Sequence, residues 1–426
     1  MKNRWLIAAS AVGVHASIGS VYAFSVFKKP LGKLIETATD NQIALTFSLA
    51  IFFLGMSAAI MGHFVERHGP RKAGMLAASF FGGGLLVAGL GAWLQNLYVI
   101  WLGYGVLGGI GLGIGYITPV STLVKWFPDH RGFATGLAIM GFGFGAMIGA
   151  PVFNFIIETF GIMEGGIAYT WFIMGVIYLI VMFASASYLE RPPEGWMPEG
   201  MKAAVASGEK KVVKDLSQQT ANEAVKTLPF YGLWLMMFIN ISCGIGVIYS
   251  ASPLAQETIG LSATEAAAVV GLMSLFNGLG RIGWATFSDV LGRGYTYMTF
   301  FIIQIAAFVL LPNIGSVILF QVVLYTILTC YGGGFSTLPA FIGDLFGTKE
   351  LGAIHGYVLT AWAMAGLAGP QINAYLHTVT HSYETTLYVF SGAFVVALLT
   401  SFAMIAYIKR ARAKVDAAEE AQLATA

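Results

Sequence analysis

Arg281 stands where a chain rarely places a charge. It lies inside the apolar run 264–288, eight residues before Asp289. At 1.5 Å per residue that is about 12 Å of helix, near mid-depth in a hydrocarbon layer about 30 Å thick. Insertion scales charge roughly 2.5–3.5 kcal/mol for such a cation, so it must face a cavity or a partner. All 21 aspartates and glutamates sit near the ends of apolar runs, in loops or in tails. The chain therefore offers Arg281 no deep carboxylate, and an anionic ligand is its natural counter-charge; bonding to backbone carbonyls and water is the bland alternative. Ser274, Asn277, Arg281, Trp284 and Ser288 follow the spacing of one helical face and read as a cavity-lining stripe. On that stripe Asn277 either holds the guanidinium or donates to a ligand oxygen.

Other groups have the right depth for the same task. His15 and Tyr22 are seven residues apart on one face of the first run. A mid-membrane histidine is a candidate proton site, because its pKa lies near physiological pH. Tyr22, Tyr116 and Tyr331 carry hydroxyls suited to a carboxylate, and the last two adjoin glycine-rich segments that leave space around a ring. Trp362 is a candidate cavity wall. Gly141, Gly143 and Gly145 do not form a nucleotide loop, since they lie in an apolar run with no lysine–serine ending. His63, His68, His130 and His355 read as residues near helix ends at no metal spacing, and Cys243 and Cys330 as small core residues. No cofactor or metal site is expected.

Residues so placed must be carried by membrane helices. The 426 residues are 57% hydrophobic and 10% charged, against about 25% charged in soluble domains. So few charges cannot coat a water-soluble fold, and the lipid bilayer is the solvent. The 53 glycines suit close helix packing. A net charge of +2 leaves no nucleic-acid footprint. Twelve runs of spanning length fall near 5–28, 42–65, 73–94, 97–123, 132–158, 166–189, 229–254, 264–288, 295–313, 315–341, 351–376 and 385–408. A polar linker, 190–228, separates an amino-terminal bundle (1–189) from a carboxy-terminal bundle (229–412), followed by a tail at 413–426. The expected fold is an all-α membrane protein of twelve transmembrane helices in two pseudo-symmetric six-helix bundles.

With both termini placed in the cytoplasm, 19 of the 23 lysines and arginines fall on that side, including Lys210, Lys211 and Lys214 of the linker. Lys28, Lys29 and Lys33 fall on the other, and Arg281 alone remains inside. That asymmetry fixes orientation by the positive-inside rule. The halves also repeat. Pro30-Leu31 and Pro253-Leu254 lie 223 residues apart, as do Glu66-x-x-Gly69 and Asp289-x-x-Gly292. Parallel repeats of this kind belong to transporters that rock two bundles about a central site. Arg281 breaks the repeat, for its equivalent is Ala58, as expected of a site residue.

The loop Gly62-His63-Phe64-Val65-Glu66-Arg67-His68-Gly69-Pro70-Arg71-Lys72 resembles the signature of the major facilitator superfamily, with Asp289 to Arg293 as a degenerate copy. Glu66, Arg67, Arg71, Asp289 and Arg293 are thus expected to latch one conformation. Four further stretches resemble the oxalate–formate antiporter family within it, which is related to monocarboxylate transporters. These are Tyr22-Ala23-Phe24-Ser25, Lys125 to Gly132, Asn277 to Arg281, and Leu338 to Phe341 continuing through Asp344 to Lys349, Ala361-Trp362 and Gly369-Pro370.

The resemblance implies alternating-access transport of a small carboxylate anion, with Arg281 binding the carboxylate and Tyr22 lining the site. Oxalate-specific carriers have a second cation, a lysine, in helix 11, where this chain aligns Trp362. A single cation favours a monocarboxylate such as lactate or pyruvate. Monocarboxylate relatives commonly move a proton too, with an aspartate where this chain has Asn277, so the proton carrier is left open between His15 and another group. The expectation is a proton-coupled symporter in the cell inner (plasma) membrane, acting as a monomer, with carboxylate exchange as the alternative. No paired catalytic groups lie at depth, so enzymatic function is not expected. An impermeant thiol reagent should label Lys33→Cys from outside intact cells and Lys202→Cys only after permeabilisation; the reverse pattern would invert the orientation.

Overall fold

The computed structural model describes residues 2–207 and 215–425; Lys210, Lys211 and Lys214 of the linker lie outside the described residues. The described chain is helical, without strands. Its spans are α1 (Arg4–Phe24), α2 (Leu45–His68), α3 (Pro70–Trp93), α4 (Leu97–Trp126), α5 (Arg131–Phe160), α6 (Gly166–Tyr188), α7 (Leu228–Ile248), α8 (Ala263–Leu291), α9 (Arg293–Asn313), α10 (Val317–Phe346), α11 (Leu351–Thr380) and α12 (Tyr383–Val415). Eleven are long and apolar enough to cross a membrane by length and composition. The 29-residue α8 completes the twelve.

Local chemistry sets the boundaries. Thr39 with Gln42, and Ser262 with Glu265, form capping boxes at the starts of the helices holding α2 and α8. Gly69 and Gly292 end those helices with φ of 84° and 89°, a region open to glycine at little cost. The repeat seen in the sequence is thus a repeat of helix entry and exit. Four spans depart from regular α geometry, α9 by a terminal 3-10 turn over Leu311–Asn313. α1 tightens into a 3-10 turn over Ser20–Phe24, α4 carries a π stretch over Trp101–Gly108, and α11 is interrupted at Leu359. Such breaks concentrate at functional hinges, and here two of them flank Tyr22 and Trp362.

Within the first bundle α1 packs on α5 and α6, and α3 on α4 and α6; within the second, α8 packs on α10, α7 on α11 and α9 on α12. The bundles meet along α5 with α8 and α2 with α11. Glycine makes both seams possible. A Cβ on Gly136 would stand 2.9 Å from both Ala285 Cβ and the Arg281 carbonyl, and one on Gly143 would stand 3.0 Å from Gly278 Cα. Across the other seam a Cβ on Gly62 would stand 2.5 Å from Ala353 Cα, and one on Gly55 2.7 Å from Ala363 Cβ. With lipid on the outside there is little hydrophobic gain in helix association, so close backbone approach supplies the packing energy.

Gly19 shows the same economy inside the first bundle, since a side chain there would strike the Phe142 carbonyl of α5. Gly19→Val should destabilise the fold by about 1–3 kcal/mol through overpacking. Gly83 has open space around it, so Gly83→Val is the control. Thermal unfolding in detergent should show a lowered midpoint for the first variant and an unchanged one for the second.

Candidate functional site

Arg281 is fully buried at the α5–α8 seam. Nε donates to Asn277 Oδ1 at 3.4 Å, and Nη1 donates to the Ile139 carbonyl of α5 at 3.3 Å. Its guanidinium carbon lies 5.5 Å from the ring centre of Phe142 and 5.4 Å from that of Phe335. A desolvated cation over a ring gains about 2 kcal/mol per contact. Nη2 has no partner, and no carboxylate pairs with Arg281 among the described residues. The arginine is thus held on two sides, one in each bundle, with a donor left over.

That donor has company. The Tyr22 hydroxyl, the Tyr116 hydroxyl and Trp362 Nε1 are also buried without partners. Each such atom costs about 1–3 kcal/mol, and native folds keep few of them. Phe142 and Phe335 tie them together. The Phe142 ring lies 5.1 Å from Tyr22, 5.6 Å from Tyr116 and 6.0 Å from Trp362. Phe335 lies 4.6 Å from Trp362 and 5.3 Å from Tyr331. The Tyr22 hydroxyl also approaches Arg281 and the Tyr331 hydroxyl, short of an ordinary hydrogen bond to either. One aromatic box therefore gathers Arg281, Asn277, Tyr22, Tyr116, Tyr331 and Trp362 from α8, α1, α4, α10 and α11. Its unpaired groups are N–H and O–H donors, a set that complements an anion.

Several sequence expectations change here. Ser274 is exposed and Trp284 turns aside to donate to Thr329 Oγ1 at 3.2 Å, so only part of the stripe faces the box. Gly332, Gly333 and Gly334 leave no space around Tyr331. They admit Asn277, Trp284 and Asn240 instead, while Tyr331 itself packs on Gly244 of α7. His15 is fully buried within the first bundle, with Nδ1 2.8 Å from the Ala138 carbonyl and Nε2 3.0 Å from the Tyr116 carbonyl. It braces α1 against α4 and α5. His355 lies near the start of α11, as expected, in the last turn of the segment Leu351–Val358, but it is fully buried there, its ring 5.8 Å from Tyr116. Phe142 and Phe335 escaped sequence reading. Their only signal is an aromatic residue inside Gly141-Phe142-Gly143 and one four residues beyond Tyr331.

The face that carries the linker is held by crossed contacts. Glu66 of α2 accepts from the Gly352 N–H of α11 at 2.8 Å. Asp289 of α8 accepts from the Gly132 and Phe133 N–H groups of α5, each at 2.9 Å. Each carboxylate thus caps a helix N-terminus of the opposite bundle, where the helix dipole favours a negative charge. Arg293 pairs with Asp289 at 2.6 Å and with Asp344 at 3.1 Å. The basic partners of Glu66 are Lys125 at 2.8 Å and Arg191 at 3.6 Å. Arg67 and Arg71, expected in the latch, are exposed and stand outside these pairs. Arg67 follows Glu66 directly and so points to another side of α2, and Arg71 lies beyond the Gly69 break on α3.

Comparison with known proteins gives a family and relatives. The profile of the Major Facilitator Superfamily matches residues 5–370 and 233–424. The oxalate:formate antiporter of Oxalobacter formigenes is 26% identical over 403 residues, covering 94% of this chain and 89% of the antiporter. The apicoplast pyruvate carrier 1 of Toxoplasma gondii is 24% identical over 388 residues, covering 79% of this chain and 69% of the carrier. The crystal structure of the human organic anion transporter MFSD10 superposes with a TM-score of 0.71 at 12% identity, covering 94% of this chain and all of that one.

If the crossed carboxylates hold the linker face shut, Glu66→Gln and Asp289→Asn should each loosen it. Ser121, buried beside Gly352, is the reporter: Ser121→Cys should react faster with a thiol reagent in either background. Unchanged labelling rates would deny the carboxylates that role.

Proposed function

The chain belongs to the major facilitator superfamily, and from that premise we propose that it carries a small monocarboxylate, of the lactate or pyruvate kind, together with a proton by alternating access. The observation that carries this reading is Arg281, a fully buried cation with a free N–H and no carboxylate partner among the described residues. A substrate carboxylate accepts from that N–H, and charge-assisted bonds of this type are the strong ones. The Tyr22, Tyr116 and Trp362 donors face the remaining oxygens. Phe142, Phe335 and the Trp362 ring give a short aliphatic tail an apolar wall. One cation matches one negative charge, which supports a monoanion over a dianion.

Binding between the bundles is what couples site to motion. Arg281 contacts Ile139 and Phe142 across the seam, so opening the α5–α8 seam changes its surroundings. The Glu66 and Asp289 contacts close the linker face in the form described above, and their release opens it. The basic-residue asymmetry supports a cytoplasmic linker face and the cell membrane as location. Exchange of one carboxylate for another is the second reading. It is favoured by Asn277, an amide where a proton-carrying carboxylate beside Arg281 would otherwise stand, and by similarity to a relative named as an antiporter.

Reconstituted protein and labelled lactate or pyruvate test the shared core of both readings. Arg281→Ala should weaken counterflow affinity by at least about 30-fold, or 2 kcal/mol, the lower range for removing one partner of a buried charge pair. Arg281→Lys should retain a measurable part, since it keeps the charge and loses the fork. Wild-type counterflow by the alanine variant would remove Arg281 from the site.

A further inference from the structure

His355 is a buried imidazole to which the mechanism above gives no task. It lies on α11 with both ring nitrogens buried and unpartnered. Three residues before it, Gly352 gives its N–H to Glu66 of the opposite bundle; seven residues after it, Trp362 enters the aromatic box. At 1.5 Å per residue these are about 4.5 Å and about 10 Å of helix. His355 thus sits between the closed face and the site, on the α2–α11 seam. Next to it a Cβ on Gly356 would strike the Ala58 carbonyl of α2, so the two bundles are in close backbone contact there.

The groups around it are few. α4 presents Tyr116, whose ring also lies 5.4 Å from Trp362. α1 presents His15, close enough to act on His355 electrostatically. α2 presents Glu66 and His63, engaged at the linker end by Gly352 N–H and the Tyr357 hydroxyl. The nearest carboxylate of α10, Asp344, is spent on Arg131 and Arg293. Among the described residues no carboxylate bonds to the ring. The contrast with His15 is instructive. His15 spends both nitrogens on carbonyls of its own bundle, and motion between bundles leaves those bonds in place. The free nitrogens of His355 lie where the two bundles separate.

We propose that His355 is the residue that takes up and releases the transported proton. This rests on the proton-coupled reading above and names its carrier. Tyr116, whose ring packs on both His355 and Trp362 and whose hydroxyl is unpartnered, is the residue that links the imidazole to the site. Charge then balances. The empty site holds one positive charge on Arg281. The loaded site adds an anion on Arg281 and a proton on His355, and the sum is unchanged. Empty and loaded bundles cross between states with the same net charge. Opening of the α2–α11 seam on the linker face delivers the proton to water as the anion leaves.

The test uses the full chain in liposomes, comparing wild type, His355→Gln, His355→Asn and His15→Gln. Labelled lactate counterflow at equal pH on both sides reports carboxylate transport alone; uptake driven by an acid exterior, with an internal pH dye, reports proton coupling. Both His355 variants should keep counterflow but lose acid-driven accumulation and dye response by at least about tenfold, since neither amide side chain takes up a proton. Retained acid-driven uptake in the His355 variants would overturn the proposal. So would loss of counterflow together with it, which would make His355 a substrate or packing residue. Wild-type uptake blind to the gradient would overturn it too, while intact counterflow would leave the carboxylate reading standing. Loss of acid-driven uptake confined to His15→Gln would transfer the role to His15.

Discussion

A guanidinium in a low-dielectric interior must be compensated, and most of this molecule's central architecture answers to that. Arg281 is stabilised by an amide oxygen, a backbone carbonyl and two aromatic faces, and none of these cancels its charge. Partial compensation holds the side chain in one place while leaving it receptive to an anion. A carboxylate in place of Asn277 would have paired the charge within the chain and reduced its attraction for a ligand. The unpaired donors of Tyr22, Tyr116 and Trp362 repeat that lack of a full partner within the same aromatic box.

Such a site needs two bundles that touch closely and can part. Glycine supplies the closeness at Gly136 and Gly143 on one seam and Gly55 and Gly62 on the other. The crossed carboxylates join the bundles at two helix N-termini, and in the proposed cycle these contacts are the reversible closure. Breaks in α1 near Tyr22 and in α11 at Leu359 put irregular backbone beside the site. Local change there can accompany motion of the rigid helices around it.

Symmetry and its failure are both informative. Glu66 and Asp289 occupy equivalent positions and perform equivalent contacts, so the scaffold obeys the repeat. Arg281 faces Ala58 across it, and His355 and His15 belong to different helices with different bonding. The groups with chemistry to do depart from the repeat, since one small substrate cannot be bound twice by equivalent halves of one cavity.

Much of this was legible in the linear chain. Hydrophobic length revealed helices, the lysine and arginine asymmetry argued for a sidedness, and a lone arginine in an apolar run argued for an anion site, because the bilayer penalises each departure so heavily that it leaves a trace in composition. Asn277 was readable too, lying one turn from Arg281 on a single helix. What the chain could not disclose is whatever depends on which helices touch. Phe142 and Phe335 look like ordinary core residues until α5 and α10 bring them to the guanidinium. Lys125 and Arg191 replace Arg67 and Arg71 as partners of Glu66 because tertiary packing, not sequence proximity, selects the near charge. His15 and His355 are equally plausible as strings of letters; only the fold shows that one is spent on carbonyls of its own bundle and the other left unpartnered at the seam. Burial energies act on single segments and are written along the sequence, whereas pairing between segments is decided by their packing in space.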